Sequence, residues 1–311
     1  MKILLTGGAG FIGSHIADAY IENGHDVSVV DNLVTGVREN LNPRARFFEV
    51  DVRDAAGMKK VFEAERFDLV NHHAAQMDVR RSVADPVFDA SVNILGMLNI
   101  LELCVVHGVQ RVIFASSGGA IYGEQECFPA DETHPTRPIS PYGVAKLSTE
   151  NYLFYYNAVY GVESVSLRYA NVYGPRQNPK GEAGVVAIFA SRMLAGEQPV
   201  INGDGKQTRD YVYVGDVVRA NVLTLERRGL QVFNVGTGVE TDVNTLFQYI
   251  RKSTASAARE EHAPAKKGEQ LRSVLDAGRI RAALGWQPAV KVGEGVKKTV
   301  EFFKAMKANV A

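Results

Sequence analysis

The stretch Leu4-Leu5-Thr6-Gly7-Gly8-Ala9-Gly10-Phe11-Ile12-Gly13-Ser14-His15 constrains this chain more than any other. An apolar strand precedes spaced glycines, and an amphipathic helix follows them. Gly8, Gly10 and Gly13 fit G-x-G-x-x-G, while Gly7, Gly10 and Gly13 fit G-x-x-G-x-x-G. Glycine suits such a turn because the bend is tight, because a pyrophosphate must approach the backbone, and because helix and strand must pack closely. The helix N-terminus then offers unpaired N–H groups to the phosphates. Gly7, Gly10, Phe11, Ile12 and Gly13 are therefore candidate dinucleotide contacts. Residues 27–30 read as a second strand ending in Asp31, roughly 20 residues on, where an acid accepts ribose hydroxyls and repels a 2′-phosphate. NAD is favoured over NADP, with nearby Arg38 arguing the other way.

Short apolar runs at 3–6, 27–30, 47–50, 69–71, 112–115 and 165–167 alternate with longer amphipathic segments. That alternation predicts an α/β fold, a Rossmann-like doubly wound parallel sheet wrapped by helices. Asp85-Pro86 opens one helix and Ser140-Pro141 another, each pairing an N-cap with proline at the first helical position. After Arg168 the Gly/Pro/Asn-rich stretches 171–181 and 202–205 read as loops of a smaller region. The expected division is a dinucleotide-binding domain over 1–170 with a return segment near 212–238, and a C-terminal α/β substrate-binding lobe over 171–211 and 239–311.

Lys+Arg and Asp+Glu both total 35, so no net charge draws the chain to nucleic acid or to an anionic membrane. Cys104 and Cys127 are too few for a disulfide framework and lack metal-ligand spacing. No basic segment precedes a long apolar run at the N-terminus, and no stretch is expected to reach the roughly 20 apolar residues of a transmembrane helix. These features favour the cytoplasm. Asp51-Val52 follows the third strand, where a side chain could contact adenine, though Asp51 reads equally well as a solvated acid. His72-His73-Ala74-Ala75-Gln76 follows the fourth, its small alanines suiting close approach of a cofactor. Adjacent histidines on a strand point to opposite faces and no carboxylate accompanies them at ligand spacing, so no metal is expected.

Tyr142 and Lys146 stand at i and i+4, on one face of the helix opened by Ser140-Pro141. A free phenol titrates near pH ~10, too high for an efficient base at neutrality. An adjacent ammonium and a cationic oxidised nicotinamide both favour the tyrosinate. Ser116 and Ser117 end the fifth strand at its C-terminal edge, where sites of open α/β sheets form, and either hydroxyl could hold a substrate oxygen.

The chain thereby resembles the extended short-chain dehydrogenases/reductases of the NAD-dependent epimerase/dehydratase group. The matching stretches are 6–15, Asp31-Asn32, Asp51-Val52, 73–76, Asn93 with Gly96, 116–123, 141–146, 168–174, 208–216, 233–238 and 284–288, covering nearly the whole length. The resemblance implies that Tyr142 is the base and Lys146 its partner on the ribose. It implies that Ser117 holds the sugar oxygen with Ser116 as substitute, and that Asn32, Val52, Ala74, Ala75, Gln76, Asn93 and Tyr169 flank NAD. Asn171, Arg209, Lys266 and Glu269 would bind the UDP-sugar, Asn171 and Arg209 at its diphosphate. The implied reaction is inversion at C4 of a nucleotide-linked hexose through a 4-keto intermediate, UDP-glucose to UDP-galactose first among the choices. Related epimerisation of N-acetylhexosamine or uronic acid, decarboxylation, net reduction and a non-catalytic NAD-binding role stay open. A dehydratase would want acids where Gly118-Gly119 stands. The resemblance also implies a homodimer through helices near 86–106 and 141–160. Two departures are visible: the serine strand end is one residue longer than usual, and Lys266-Lys267 replaces a phosphate-binding arginine, losing its bidentate fork.

Overall fold

The computed structural model describes residues 1–179, 184–265 and 270–308, and the chain divides into two compact units. The first comprises Met1–Gly123, Thr136–Arg168 and Val218–Phe233. Its strands are β1 (Lys2–Thr6), β2 (Asp26–Asp31), β3 (Arg46–Glu49), β4 (Leu69–His72), β5 (Arg111–Ser117) and β6 (Glu163–Tyr169), joined by the return strand Leu230–Val235. They form one seven-stranded sheet in the order return strand, β6, β5, β4, β1, β2, β3. The β3–β2–β1–β4–β5 pairings are parallel. Ile3, Leu4 and Leu5 are fully buried in succession, as befits a central strand covered on both faces. Order reverses between β1 and β4, which puts the switch point beside the glycine turn, where α/β sheets bind ligands.

Local chemistry fixes the helix starts. Asp85 accepts from the Phe88 N–H at 2.9 Å with Pro86 in the first turn, and Ser140 accepts from Gly143 N–H at 3.1 Å with Pro141 in the first turn. The continuous helix Pro86–His107 is, among the described residues, long and apolar enough to cross a membrane by length and composition. That corrects the expectation that no segment would be. Its polar residues are nonetheless built into the unit: Asp89 and Asn93 are buried, and Asn99 Nδ2 donates to the Val52 carbonyl at 3.0 Å.

The return segment is held by a buried polar triad in which Asn71 Nδ2 donates to Tyr20 Oη at 2.8 Å and to Asn221 Oδ1 at 3.0 Å. It is narrower than expected, because Thr208–Tyr213 pairs with strands of the second unit. The expected unbroken span 1–170 is also corrected, since Glu124–Pro135 groups with the second unit. The reason lies in its backbone: Ala130 N–H donates to the Val274 carbonyl at 3.0 Å, Asp276 N–H donates to the Ala130 carbonyl at 2.8 Å, and Val274 N–H donates to Gln125 Oε1 at 3.0 Å.

The second unit comprises Glu124–Pro135, Tyr169–Val217 and Asn234–Ala311. Thr208–Tyr213 pairs parallel with Asn171–Tyr173 and Arg272–Ser273 and antiparallel with Glu240–Asp242. Phe189, Met193, Leu246, Phe247, Ile250, Val296 and Val300 form its core from three helices. Two buried aspartates pin its loops. Asp210 accepts from Thr237, Gly238 and Leu275 backbone N–H groups, and Asp216 accepts from Ala289 and Val290.

Candidate active site

The glycine turn is shaped by contacts that leave no room for a side chain. Gly7 has φ +71°, donates its N–H to the Val30 carbonyl at 2.8 Å, and a Cβ there would lie 2.6 Å from Ala74 N. A Cβ on Gly13 would lie 2.2 Å from the Gly7 carbonyl oxygen. Gly10 occupies the N-cap of the helix Phe11–Glu22, and no side-chain cap bond is made there. First-turn N–H groups of a helix capped in this way suit a pyrophosphate. Phe11 and Ile12 are half-buried in that turn.

Asp31 ends β2 as expected, and its carboxylate accepts from Ala9 N–H at 3.0 Å and Leu33 N–H at 2.9 Å. It braces the glycine turn. Burial pushes its pKa up against those two bonds. Arg38 is paired with Glu49 and lies over the Phe47 ring, so it is engaged elsewhere than at a 2′-phosphate. Asp51 is neither plainly solvated nor free, being paired with Arg53. Arg53 donates to it twice, at 2.9 and 2.8 Å, and Asn32 Nδ2 donates at 2.9 Å. The Arg53 bonds hold this carboxyl well below the ordinary range. Val52 is buried against Gly96.

The loop after β4 is locked at both ends. Thr6 Oγ1 accepts from Ala74 N–H at 3.2 Å and meets His72 Nδ1 at 2.7 Å. Burial holds the His72 imidazole well below its ordinary pKa, so it is a neutral structural group. Ala75 is half-buried beyond it. Gln76 and Asn93 form a reciprocal pair: Gln76 N–H donates to Asn93 Oδ1 at 2.9 Å, and Asn93 Nδ2 donates to the Gln76 carbonyl at 2.9 Å. The second N–H of Asn93 goes to Asp89 Oδ1 at 3.0 Å. An amide has only two N–H donors, so those of Asn93 are committed within the protein. Asn93 thereby holds the loop after β4 to the helix Pro86–His107.

Tyr142 and Lys146 lie on the helix Pro141–Tyr160 against the end of β5. The Lys146 ammonium is buried, donates to the Ala115 carbonyl at 2.7 Å, and sits 4.7 Å from the Phe114 ring centre and 5.6 Å from that of Tyr142. Burial pushes its pKa down to about 8, against the upward pull of Asp89 and Glu150. One helical turn on, Glu150 accepts from Ser116 Oγ at 2.6 Å and from Arg168 at 3.0 and 2.6 Å. Arg168 also donates to Tyr122 Oη at 2.9 Å. The Ser116 O–H is thus engaged by a buried carboxylate, which favours Ser117 of the two hydroxyls. Ser117 is half-buried at the strand end and makes no cap bond to the short helix Gly118–Ile121.

Tyr169 ends β6 and is buried. Asn171 pairs opposite Tyr211, and Arg209 opposite Thr241 and Ser273, within the second unit. Arg209 Nη1 donates to the Thr208 carbonyl at 2.8 Å. Lys266 and Glu269 lie outside the described residues. No cluster of potential metal ligands occurs among the described residues. Thr6 and Arg168 fall in matching stretches of the sequence without an assigned role, and Asp89 and Glu150 were not singled out; Glu150 carried a signal, standing at i+4 from Lys146 on the Tyr142 face.

A parallel sheet with its switch point at a glycine turn, and a phenol and buried ammonium at the end of β5, define a dinucleotide-dependent enzyme core. The chain belongs to the NAD dependent epimerase/dehydratase family, whose model matches residues 3–236. It is 47% identical to a putative UDP-glucose 4-epimerase of Methanocaldococcus jannaschii over 97% of this chain and 98% of that protein. Among solved structures, the Thermotoga maritima UDP-glucose 4-epimerase with UDP-glucose superposes with a TM-score of 0.97 at 51% identity, covering 99% of this chain and 100% of that one. The Thermus thermophilus UDP-glucose 4-epimerase in complex with NAD gives 0.94 at 47%, covering 98% and 99%.

Proposed function

We propose that the chain interconverts UDP-glucose and UDP-galactose by inversion at C4, with NAD held through the cycle. The observation that carries this reading is the Tyr142/Lys146 pair packed on the end of β5, beside a half-buried Ser117 followed by two glycines. The residues fit a dinucleotide: the helix start at Gly10 and Phe11 suits the pyrophosphate, and Asp31 the ribose. NAD, when bound, supplies reversible acceptance of the C4 hydrogen with its electron pair. Tyr142 takes the C4 hydroxyl proton and later returns it, Lys146 stabilises the tyrosinate by its charge, and Ser117 holds the sugar oxygen. Gly118 and Gly119 bring no acid with which to expel water from the sugar. The resemblance assigns the diphosphate to Asn171 and Arg209, and the 4-keto sugar, once turned, presents its other face to the same base.

Incubation with UDP-galactose and no added NAD is expected to yield UDP-glucose catalytically. Failure to turn over UDP-hexoses, their N-acetyl derivatives and UDP-glucuronate alike would leave only a binding role.

We also propose a homodimer through the helices Pro86–His107 and Pro141–Tyr160. Val87, Leu95, Val106, Phe154, Tyr155 and Val159 are all exposed there, an apolar set that a monomer would leave in water. Sedimentation should give twice the chain mass, and Phe154→Glu should shift it toward the monomer; a monomeric wild type ends the proposal.

A further inference from the structure

Asp89 has no part in the chemistry above, yet it is 1% exposed beside residues that do. Its Oδ1 accepts from Gln76 Nε2 and from Asn93 Nδ2, each at 3.0 Å. Its Oδ2 is buried with no hydrogen-bond partner among the described residues. The carboxylate therefore ties the loop after β4 to the helix Pro86–His107, immediately before a π-turn over Ser91–Leu95. Such widened turns recur at functional sites. The carbonyl of Asn93 within that turn accepts from Thr149 Oγ1 at 3.3 Å, three residues past Lys146 on the neighbouring helix. A carboxylate buried with one oxygen unpartnered is costly unless its charge is used.

We propose that Asp89 is a positioning residue of the proton-transfer site: its carboxylate fixes Gln76 and Asn93 so that the loop after β4 keeps the shape the dinucleotide requires, and its charge is the counter-charge of the buried Lys146 ammonium. The first half rests only on dinucleotide binding; the activity readout rests on the epimerase reading.

The charged and titratable groups around Lys146 are Asp89 from the long helix, Glu150 and Tyr142 from its own, His72 at the end of β4 and His73 just after it. Arg168 acts behind Glu150, to which it is paired. Both histidines resist protonation beside the ammonium, so Asp89 and Glu150 are the anions that oppose loss of its proton. Removing the charge of Asp89 lets the Lys146 proton leave more easily, and whatever depends on it fails at a lower pH.

Asp89→Asn keeps an acceptor oxygen for both amides and removes the charge alone. The alkaline limb of kcat is expected to lie about one pH unit below that of the wild type, while NAD affinity near neutrality changes little. Asp89→Leu removes the acceptor too, and calorimetry should show NAD affinity about tenfold weaker or worse. If the leucine variant does not fold, Gln76→Ala, which deletes one donor, carries that arm with the same expectation. An asparagine variant with the wild-type alkaline limb overturns the counter-charge, and NAD affinity unchanged in the leucine or alanine variant overturns the positioning role. Should the wild type turn over no UDP-sugar, the pH dependence of NAD affinity is read in place of kcat, so the epimerase reading fails separately from this one.

Discussion

Tyr142→Phe is expected to lower kcat for UDP-galactose by about 10²–10⁴-fold, the usual worth of a positioned acid–base group, with KM little changed and NAD still retained. The substitution removes one oxygen and keeps the ring that lies beside the Lys146 ammonium, 5.6 Å from its centre, so the packing of the buried lysine survives. Steady-state turnover and bound NAD per chain, measured on the same preparation, check both halves. A phenylalanine variant within about threefold of the wild type in kcat would remove Tyr142 from the role of base, since proton transfer is worth far more than that.

The second large effect concerns stability. Glu150 and Arg168 are both nearly inaccessible, with side chains 8% and 7% exposed, and their 2.6 Å contact joins the catalytic helix to β6. Burial opposes the Arg168 charge, but the hydrogen bonds and charge of Glu150 outweigh it and hold the guanidinium above its ordinary pKa. Arg168→Met leaves the carboxylate buried without its cation, for which about 3–5 kcal/mol of destabilisation is expected. Chemical denaturation measures it. Glu150→Leu combined with Arg168→Met should recover much of that loss, because an apolar pair of similar volume needs no compensating charge. A single variant losing less than about 1 kcal/mol, the range of an exposed pair, would show the ion pair to be dispensable.

What was legible in the sequence was whatever depends on local spacing. The glycine turn, Asp31 at the end of β2, the proline-opened helices and the i, i+4 pair of Tyr142 and Lys146 each follow from residues close in the chain, and the structure places them accordingly. Partnerships between distant segments were not legible. Ser116 and Ser117 are adjacent and chemically identical, and only the fold reveals that one is bound to Glu150, 34 positions on, while the other is not. Nor does local spacing show that the Asn93 amide bonds Gln76, 17 positions back, as well as Asp89. The segment Glu124–Pro135 follows a core strand of the first unit, yet its backbone partners are Val274 and Asp276, beyond reach of any local pattern. The membrane-length apolar character of Pro86–His107 was overlooked because its polar residues Asp89, Asn93, Asn99 and Glu102 interrupt the run.

The position of the return strand has a bearing on how this chain matures. In the sheet order β6 lies between β5 and Leu230–Val235, so the last strand of the first unit is made only after the long segment Tyr169–Val217 has emerged. Until then β6 is an uncovered edge, and its residues Val165 and Leu167 are of the kind that invite pairing with another chain. The sheet of the first unit is therefore completed by a strand that stands beyond Tyr169–Val217 in the chain, and a chain cut short before Leu230 is expected to expose β6.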